Sequence, residues 1–381
     1  MTNATQNGKP YAGNPHVRFE VGGSRIGKPR RGSLLYKQLK KQVGIVVALA
    51  ALSAGAAGDK GKWPAERIEV KSTLDGTLQP AWFWAPEKAK REQVPLVVGH
   101  HSWSTDIRDL VNYRAPLNAA MTNGWAFVGP SFRGPNRRPE ACGSDLAVQD
   151  IVDAIEWAKA HAKVDPKRIY IIGPSGGGHM ALLMLGRHPE IFAAGVALCP
   201  ITDIARWHAD SLLKHPGRST DYARDIEGAC GGKPEERPEE YARRSPLTWL
   251  QRTREAKVPV YICTGIHDGW KGSVPVGHAI RAFNALADEK DRISEADIAF
   301  IEENQRTPPG FACGDLADPF YAKRPVHLRR TSANARLTLF EGAHQGNYPA
   351  AFDFLRRQVK GRPADWTLPR SGCGEVENIA K

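Results

Sequence analysis

The chain has 381 residues, 41% of them hydrophobic and 25% charged, and a formal net charge of +12. That composition excludes fibrous and low-complexity classes and leaves a soluble globular protein with chain enough for a large core. The positive excess does not argue for a nucleic-acid partner, because residues 1–56 carry nine Lys/Arg against Glu20 alone, a net of +8.

Lys37, Lys40 and Lys41 precede an apolar run at 43–52, and Ala54-Gly55-Ala56 follows as an A-x-A site. This layout predicts a leader over 1–57 with a secretory signal near 33–57, export to a periplasmic or extracellular setting, and one domain over 60–381. The run is shorter than the roughly 20 residues of a spanning helix, so no stable membrane anchoring is expected.

From Trp63 onward, strands and helices alternate. Residues 67–72 and 79–84 read as edge strands paired around a turn at Asp75-Gly76, and 95–100 and 125–130 as buried strands. Residues 145–162 read as an amphipathic helix with Val148, Ile151, Ala154, Ile155 and Ala158 on one face. A strand around Tyr170 then runs into a helix. Strands at 194–199, 258–263 and 336–340 and helices at 275–287 and 350–359 complete the pattern. The alternation predicts an α/β fold, a mostly parallel central sheet with helices on both faces. Excursions at 201–256 and 289–333 leave strand ends, where open α/β sheets bind ligands, and read as candidate lids or specificity loops. The second holds a short helix opened by the capping box Ser294-x-x-Asp297.

The Tyr170 strand ends in Gly173-Pro174-Ser175-Gly176-Gly177, which fits the G-x-S-x-G nucleophile elbow. A strand turning sharply into a helix strains the serine backbone and needs nearly side-chain-free neighbours so that the segments can approach. The hydroxyl then stands at the positive end of a helix whose free N–H groups can stabilise an oxyanion. A serine nucleophile needs a base, and the base needs an orienting carboxylate. Asp268 follows the 258–263 strand, and His344 follows the 336–340 strand in Glu341-Gly342-Ala343-His344-Gln345-Gly346. The order Ser175, Asp268, His344 is the one the α/β-hydrolase topology requires, and these three form the candidate catalytic set.

Six cysteines follow the leader. Cys199 and Cys263 close apolar strands and read as buried thiols. Cys142, Cys230, Cys313 and Cys373 lie in Gly-rich loops. In an exported protein these suggest up to two disulfides, Cys142–Cys230 and Cys313–Cys373 being the pairing favoured among three. No C-x-x-C or paired Cys/His spacing occurs, so no metal is expected, and the hydrolytic chemistry calls for no cofactor.

From residue 96 to the last helix the chain resembles the catalytic domain of the prolyl oligopeptidase family of serine hydrolases. The resemblance rests on Pro130-Ser131-Phe132-Arg133-Gly134, Gln149-Asp150-Ile151, Asp165-Pro166-Lys167-Arg168-Ile169-Tyr170 and the Ser175 elbow. It continues through Arg243-Arg244-Ser245-Pro246-Leu247, Gly265-x-x-Asp268 and Glu341-Gly342-Ala343-His344. It implies hydrolytic acyl transfer, on peptides or on carboxylic esters. The large N-terminal β-propeller of many members is not expected in this sequence. In place of the family's His-Gly-Gly-like turn stands Gly99-His100-His101-Ser102-Trp103-Ser104, so by position the oxyanion donors are the backbone N–H groups of Gly176 and Trp103.

Trp103 and Trp270 lie beside the oxyanion turn and the acid loop, placed to floor a site for sugar rings or aromatic acyl groups or simply to pack. Arg133 is a candidate for a substrate carbonyl or carboxylate, with an ion pair to Glu140 or Asp150 as the alternative. His101, His179 and His267 read as structural. The expected substrate is an ester on a carbohydrate or small acylated compound, with a short peptide as the alternative and an inactive binding relative as a third reading.

Overall fold

The buried stretches of the central strands, such as Ile169–Ile172 and Ala194–Leu198, are apolar on both faces, a composition that demands cover on both sides. The computed structural model describes residues 63–213 and 219–368. The leader, its export signal and Cys373 lie outside the described residues. Strands β1 (Glu66–Lys71), β2 (Leu78–Trp84), β3 (Val94–Gly99) and β4 (Ala126–Pro130) come first, followed by β5 (Val164–Pro174), β6 (Ala194–Leu198) and β7 (Val260–Gly265). With β8 (Val326–Ser332) and β9 (Ala335–Phe340) they form one nine-stranded sheet in the order β1-β2-β4-β3-β5-β6-β7-β9-β8. Strands β4, β3, β5, β6, β7 and β9 run parallel, and the antiparallel pairings β1–β2, β2–β4 and β8–β9 lie toward the two edges. This is the α/β-hydrolase architecture expected from the alternation of elements.

Helices α1 (Leu110–Asn123) and α10 (Tyr348–Arg357) pack on one face, around Tyr113, Phe127, Tyr170 and Phe354. On the other face lie α2 (Asp145–His161), α3 (Gly176–Arg187) and α8 (Gly277–Leu286), around Ile151, Ile171, Leu182 and Phe283. Strand order reverses between β3 and β5, which makes their carboxyl ends the topological switch point, the place where such sheets hold ligands.

The 201–256 excursion is helical: α4 (Ile204–Leu212), α5 (Thr220–Cys230), α6 (Pro238–Arg244) and α7 (Leu250–Glu255). It is anchored by Arg244, whose guanidinium donates to the carbonyls of Ala141 (2.7 Å) and Pro139 (2.9 Å). Ser245 Oγ caps the start of α4 by accepting from the Ile204 N–H (2.9 Å). The capping box at Ser294 opens α9 (Glu295–Asn304), with the Asp297 N–H donating to Ser294 Oγ and that hydroxyl donating to Asp297 Oδ2.

Outside the 201–256 excursion, two further elements are not legible in the sequence. Helix α1 carries Pro116 in its interior, a residue that argues against a helix, yet the ring is buried against Gly99 at the end of β3. Its ends are closed by the Asp109 side chain and by Gly124 at φ 64°. Strand β8 sits in the second excursion with arginines at 329 and 330, and is drawn into the sheet by pairing with β9.

The disulfide expectation is corrected. Cys142, Cys199, Cys230, Cys263 and Cys313 are free thiols. Cys142 and Cys230 do share one apolar cluster under α4 and α6, and burial pushes the Cys230 thiol up to about 12 and Cys142 higher still. Protonated thiols in such a setting are unreactive packing groups.

His100 and His179 are fully buried near the end of β3, and burial lowers their pKa values to about 3 and about 4. Their contribution to stability is complete above the unfolded value of about 6.5 and is lost as pH falls, because the unfolded chain takes up protons that the folded chain refuses. Lowering pH from about 6.5 toward about 4.5 should therefore depress Tm, each histidine adding up to about 1.4 kcal/mol per pH unit. Calorimetry across that window tests it, and a flat Tm would contradict the neutral burial of these rings.

Candidate active site

Ser175 adopts φ 56°, ψ −118°, a left-handed conformation that a β-carbon-bearing residue holds only under constraint. The constraint is backbone proximity. A Cβ on Gly173 would lie 2.3 Å from the carbonyl of Gly177, and one on Gly176 would lie 2.6 Å from the backbone nitrogen of Trp103. The Ser175 N–H donates to the Leu198 carbonyl at the end of β6 (2.8 Å). Gly176 opens α3, so its N–H is among the free donors of a helix start.

Asp268 and His344 come from the loops after β7 and β9, and they meet. His344 Nδ1 lies 2.9 Å and 3.0 Å from the two carboxylate oxygens of Asp268. The carboxylate is buried, and it also accepts from Thr264 Oγ1 (3.0 Å) and from the backbone N–H groups of Gly269 (3.0 Å) and Val274 (3.3 Å). These donors replace the water that a buried anion gives up. Burial works against charging His344, but the neighbouring Cys199 and Asp268 outweigh it and hold the ring well above its ordinary pKa. An imidazolium at this position is thus stabilised.

Gly272 was not anticipated from sequence. A Cβ at this position would sit 2.4 Å from Asp268 Oδ1 and 2.5 Å from His344 Cβ, so the acid and base can meet only over a bare backbone. Asn136 was missed as well. Fully buried, it donates from its amide to the Trp103 carbonyl (3.2 Å) and accepts from the Cys142 N–H (2.8 Å), fixing the turn after β3. Neither residue belongs to a motif; only their surroundings mark them.

The remaining sequence candidates fall as follows. The Trp103 indole is 2% exposed, stands edge-on to Trp207 at 4.7 Å and donates to Asp225 (3.3 Å), so it packs rather than floors an open site. Trp270 is 37% exposed, and its indole N–H donates to the Glu302 carbonyl of α9 (2.7 Å). Arg133 does not face a substrate site. Its guanidinium is spent on Asp150 and on Asp75 (2.8 Å), the ion-pair alternative, which locks the strained turn after β4. His101 is a strut between the carbonyls of Ser102 and Ser131, 2.7 Å from each, and His267 bridges to Glu341 (2.8 Å). His179 is bonded to the Arg244 carbonyl (2.7 Å).

Among the described residues no hydrogen bond joins Ser175 Oγ to His344. The ring lies instead beside Cys199, whose sulfur and the Asp268 and His344 donor atoms all fall within 4.8 Å of one another. Register pairing of Pro174 with Leu198 puts Ser175 and Cys199 side by side at the ends of β5 and β6. Contacts between a nucleophile and its base commonly close only once substrate is bound.

A strained elbow serine and a buried carboxylate–imidazole pair thus stand at the strand ends of an α/β-hydrolase fold. Residues 143–302 match the model of the prolyl oligopeptidase family. The structure is similar to that of Pyrococcus horikoshii acylaminoacyl peptidase in its orthorhombic crystal form, at 17% identity and a TM-score of 0.53. That match covers 89% of this chain and 45% of the other. It is similar also to a puromycin-hydrolyzing peptidase of Mycobacterium tuberculosis, at 16% identity and a TM-score of 0.53, covering 81% of this chain and 43% of the other. The chain spans less than half the length of these proteins, and at such identities the likeness shows the fold.

Gly272→Ala should push the acid and base apart with little loss of fold. The expected result is fluorophosphonate labelling slower by about 10²-fold at an unchanged circular dichroism spectrum. Labelling at the wild-type rate would show that the contact at 272 does not position the pair.

Proposed function

We propose that this protein hydrolyses short peptides by acyl transfer, with Ser175 as nucleophile, His344 as general base and Asp268 as the group that orients the imidazole. Ser175 Oγ attacks the scissile carbonyl while His344, after losing to solvent the proton that Cys199 and Asp268 favour in the resting site, takes the hydroxyl proton. The N–H groups of Gly176 and Trp103 receive the oxyanion. His344 then gives its proton to the leaving amine, and water releases the acyl group by the same steps in reverse order. The observation that carries the reading is the Asp268–His344 hydrogen bond, held on the sheet edge where Ser175 takes its positive φ.

Peptides take precedence over sugar esters for two reasons. The family match and the peptidases of similar fold support them. The tryptophan-floored pocket that motivated a carbohydrate ester loses Trp103 to the interior. Export is part of the same proposal and rests on the charge and apolar pattern of residues 33–57.

Purified full-length protein should be assayed against N-blocked and free short peptide amides, p-nitrophenyl esters and acetylated glycans. Peptide turnover with kcat/KM above that for glycan esters is expected, and glycan deacetylation without amide cleavage would overturn the substrate assignment. Ser175→Ala should lower turnover by at least about 10⁴-fold and abolish fluorophosphonate labelling while Tm is kept. Retained labelling in that variant would remove Ser175 from the mechanism.

A further inference from the structure

Cys199 has no part in the hydrolytic scheme, yet the fold aims it at the scheme's centre. It is 3% exposed and held at φ 41°, a strained conformation for a residue with a side chain. Its N–H donates to the Cys263 carbonyl of β7 (2.8 Å), which pins it between the strand that carries Ser175 and the strand that leads to Asp268. Its sulfur, a carboxylate oxygen of Asp268 and a ring nitrogen of His344 converge within 4.8 Å.

From this convergence we propose that Cys199, Asp268 and His344 form a binding site for a thiophilic divalent cation, Zn²⁺ being the best match, and that occupancy switches the hydrolase off. A thiolate, an imidazole and a carboxylate are the donor types zinc takes, three from protein with a fourth position left to solvent. Bonds of about 2.0 to 2.3 Å place tetrahedral donors roughly 3.3 to 3.8 Å apart, so side-chain movements of about an ångström close the site. On binding, the protons carried by the Cys199 sulfur and the His344 ring are released to solvent and the cation takes their place. A cation held by Asp268 and His344 removes the carboxylate from its orienting task and the imidazole from proton transfer. Binding is a claim about these three side chains alone, whereas inhibition rests on the hydrolase reading above.

Untagged full-length protein should be titrated with Zn²⁺ against a chromogenic chelator, and with Co²⁺ while the near-ultraviolet sulfur-to-cobalt charge-transfer band is followed. One tight site per chain and a cobalt band are expected in the wild type and equally in Ser175→Ala. In Cys199→Ala and Cys199→Ser the band should vanish and affinity should fall by at least about 100-fold. The zinc concentration that halves each protein's own metal-free activity should rise in parallel. Equal affinity in the Cys199 variants, or no cobalt band in the wild type, overturns the site. Tight binding that leaves turnover untouched overturns the switch, and binding by an inactive but folded wild type would separate a sound site from a failed hydrolase reading.

Discussion

The close approach of two backbones at the end of β5 is the constraint on which the rest of the site depends. Gly173 and Gly177 lie so near each other that a single methyl group at 173 would meet a carbonyl at 2.3 Å. That proximity lets β5 turn into α3 without an intervening loop and forces Ser175 to φ 56°. It also brings the start of α3 against Trp103, so that a strand end, a helix start and the turn after β3 share one small volume. Strain of this kind persists only where its surroundings over-determine it. Here they do so through the Leu198 carbonyl, the Asn136 amide and the buried aromatic cluster of Trp103 and Trp207.

A second constraint is electrostatic. Asp268 is a buried anion, and it is tolerable because Thr264, two backbone N–H groups and His344 supply the hydrogen bonds that water would otherwise make. The same loop is tied outward through His267 and Glu341 to β8, where His327 holds the other oxygen of Glu341 (3.0 Å). The acid loop, the base loop and the sheet edge are therefore one hydrogen-bonded unit. The 289–333 excursion, which reads in sequence as a lid or specificity loop, contributes β8 to that unit.

Arg133 and Cys199 show the same physics from two sides. Arg133 looks like a substrate ligand until Asp150 and Asp75 are placed beside it; a guanidinium that is 9% exposed and paired twice belongs to the scaffold. Removing Asp150, the buried partner, would leave the guanidinium without its inner counter-charge. Cys199 looks like an ordinary buried thiol at a strand end until register puts it next to Ser175 and the loops bring His344 over it.

What the residue order determined by itself was the local chemistry. Apolar runs specified strands, periodicity specified α2, and glycines around a serine specified an elbow, because each of these depends on neighbours a few positions apart. The order of Ser175, Asp268 and His344 followed too, since topology constrains the sequence in which strand ends are visited. What only the tertiary structure decided was everything that rests on contacts between distant segments: α1 around Pro116, β8 on β9, the bare backbone at Gly272, and the thiols left unpaired. Propensity cannot report these, for a proline is accepted, an arginine neutralised or a thiol silenced by groups far away in the chain that arrive only when the sheet is assembled.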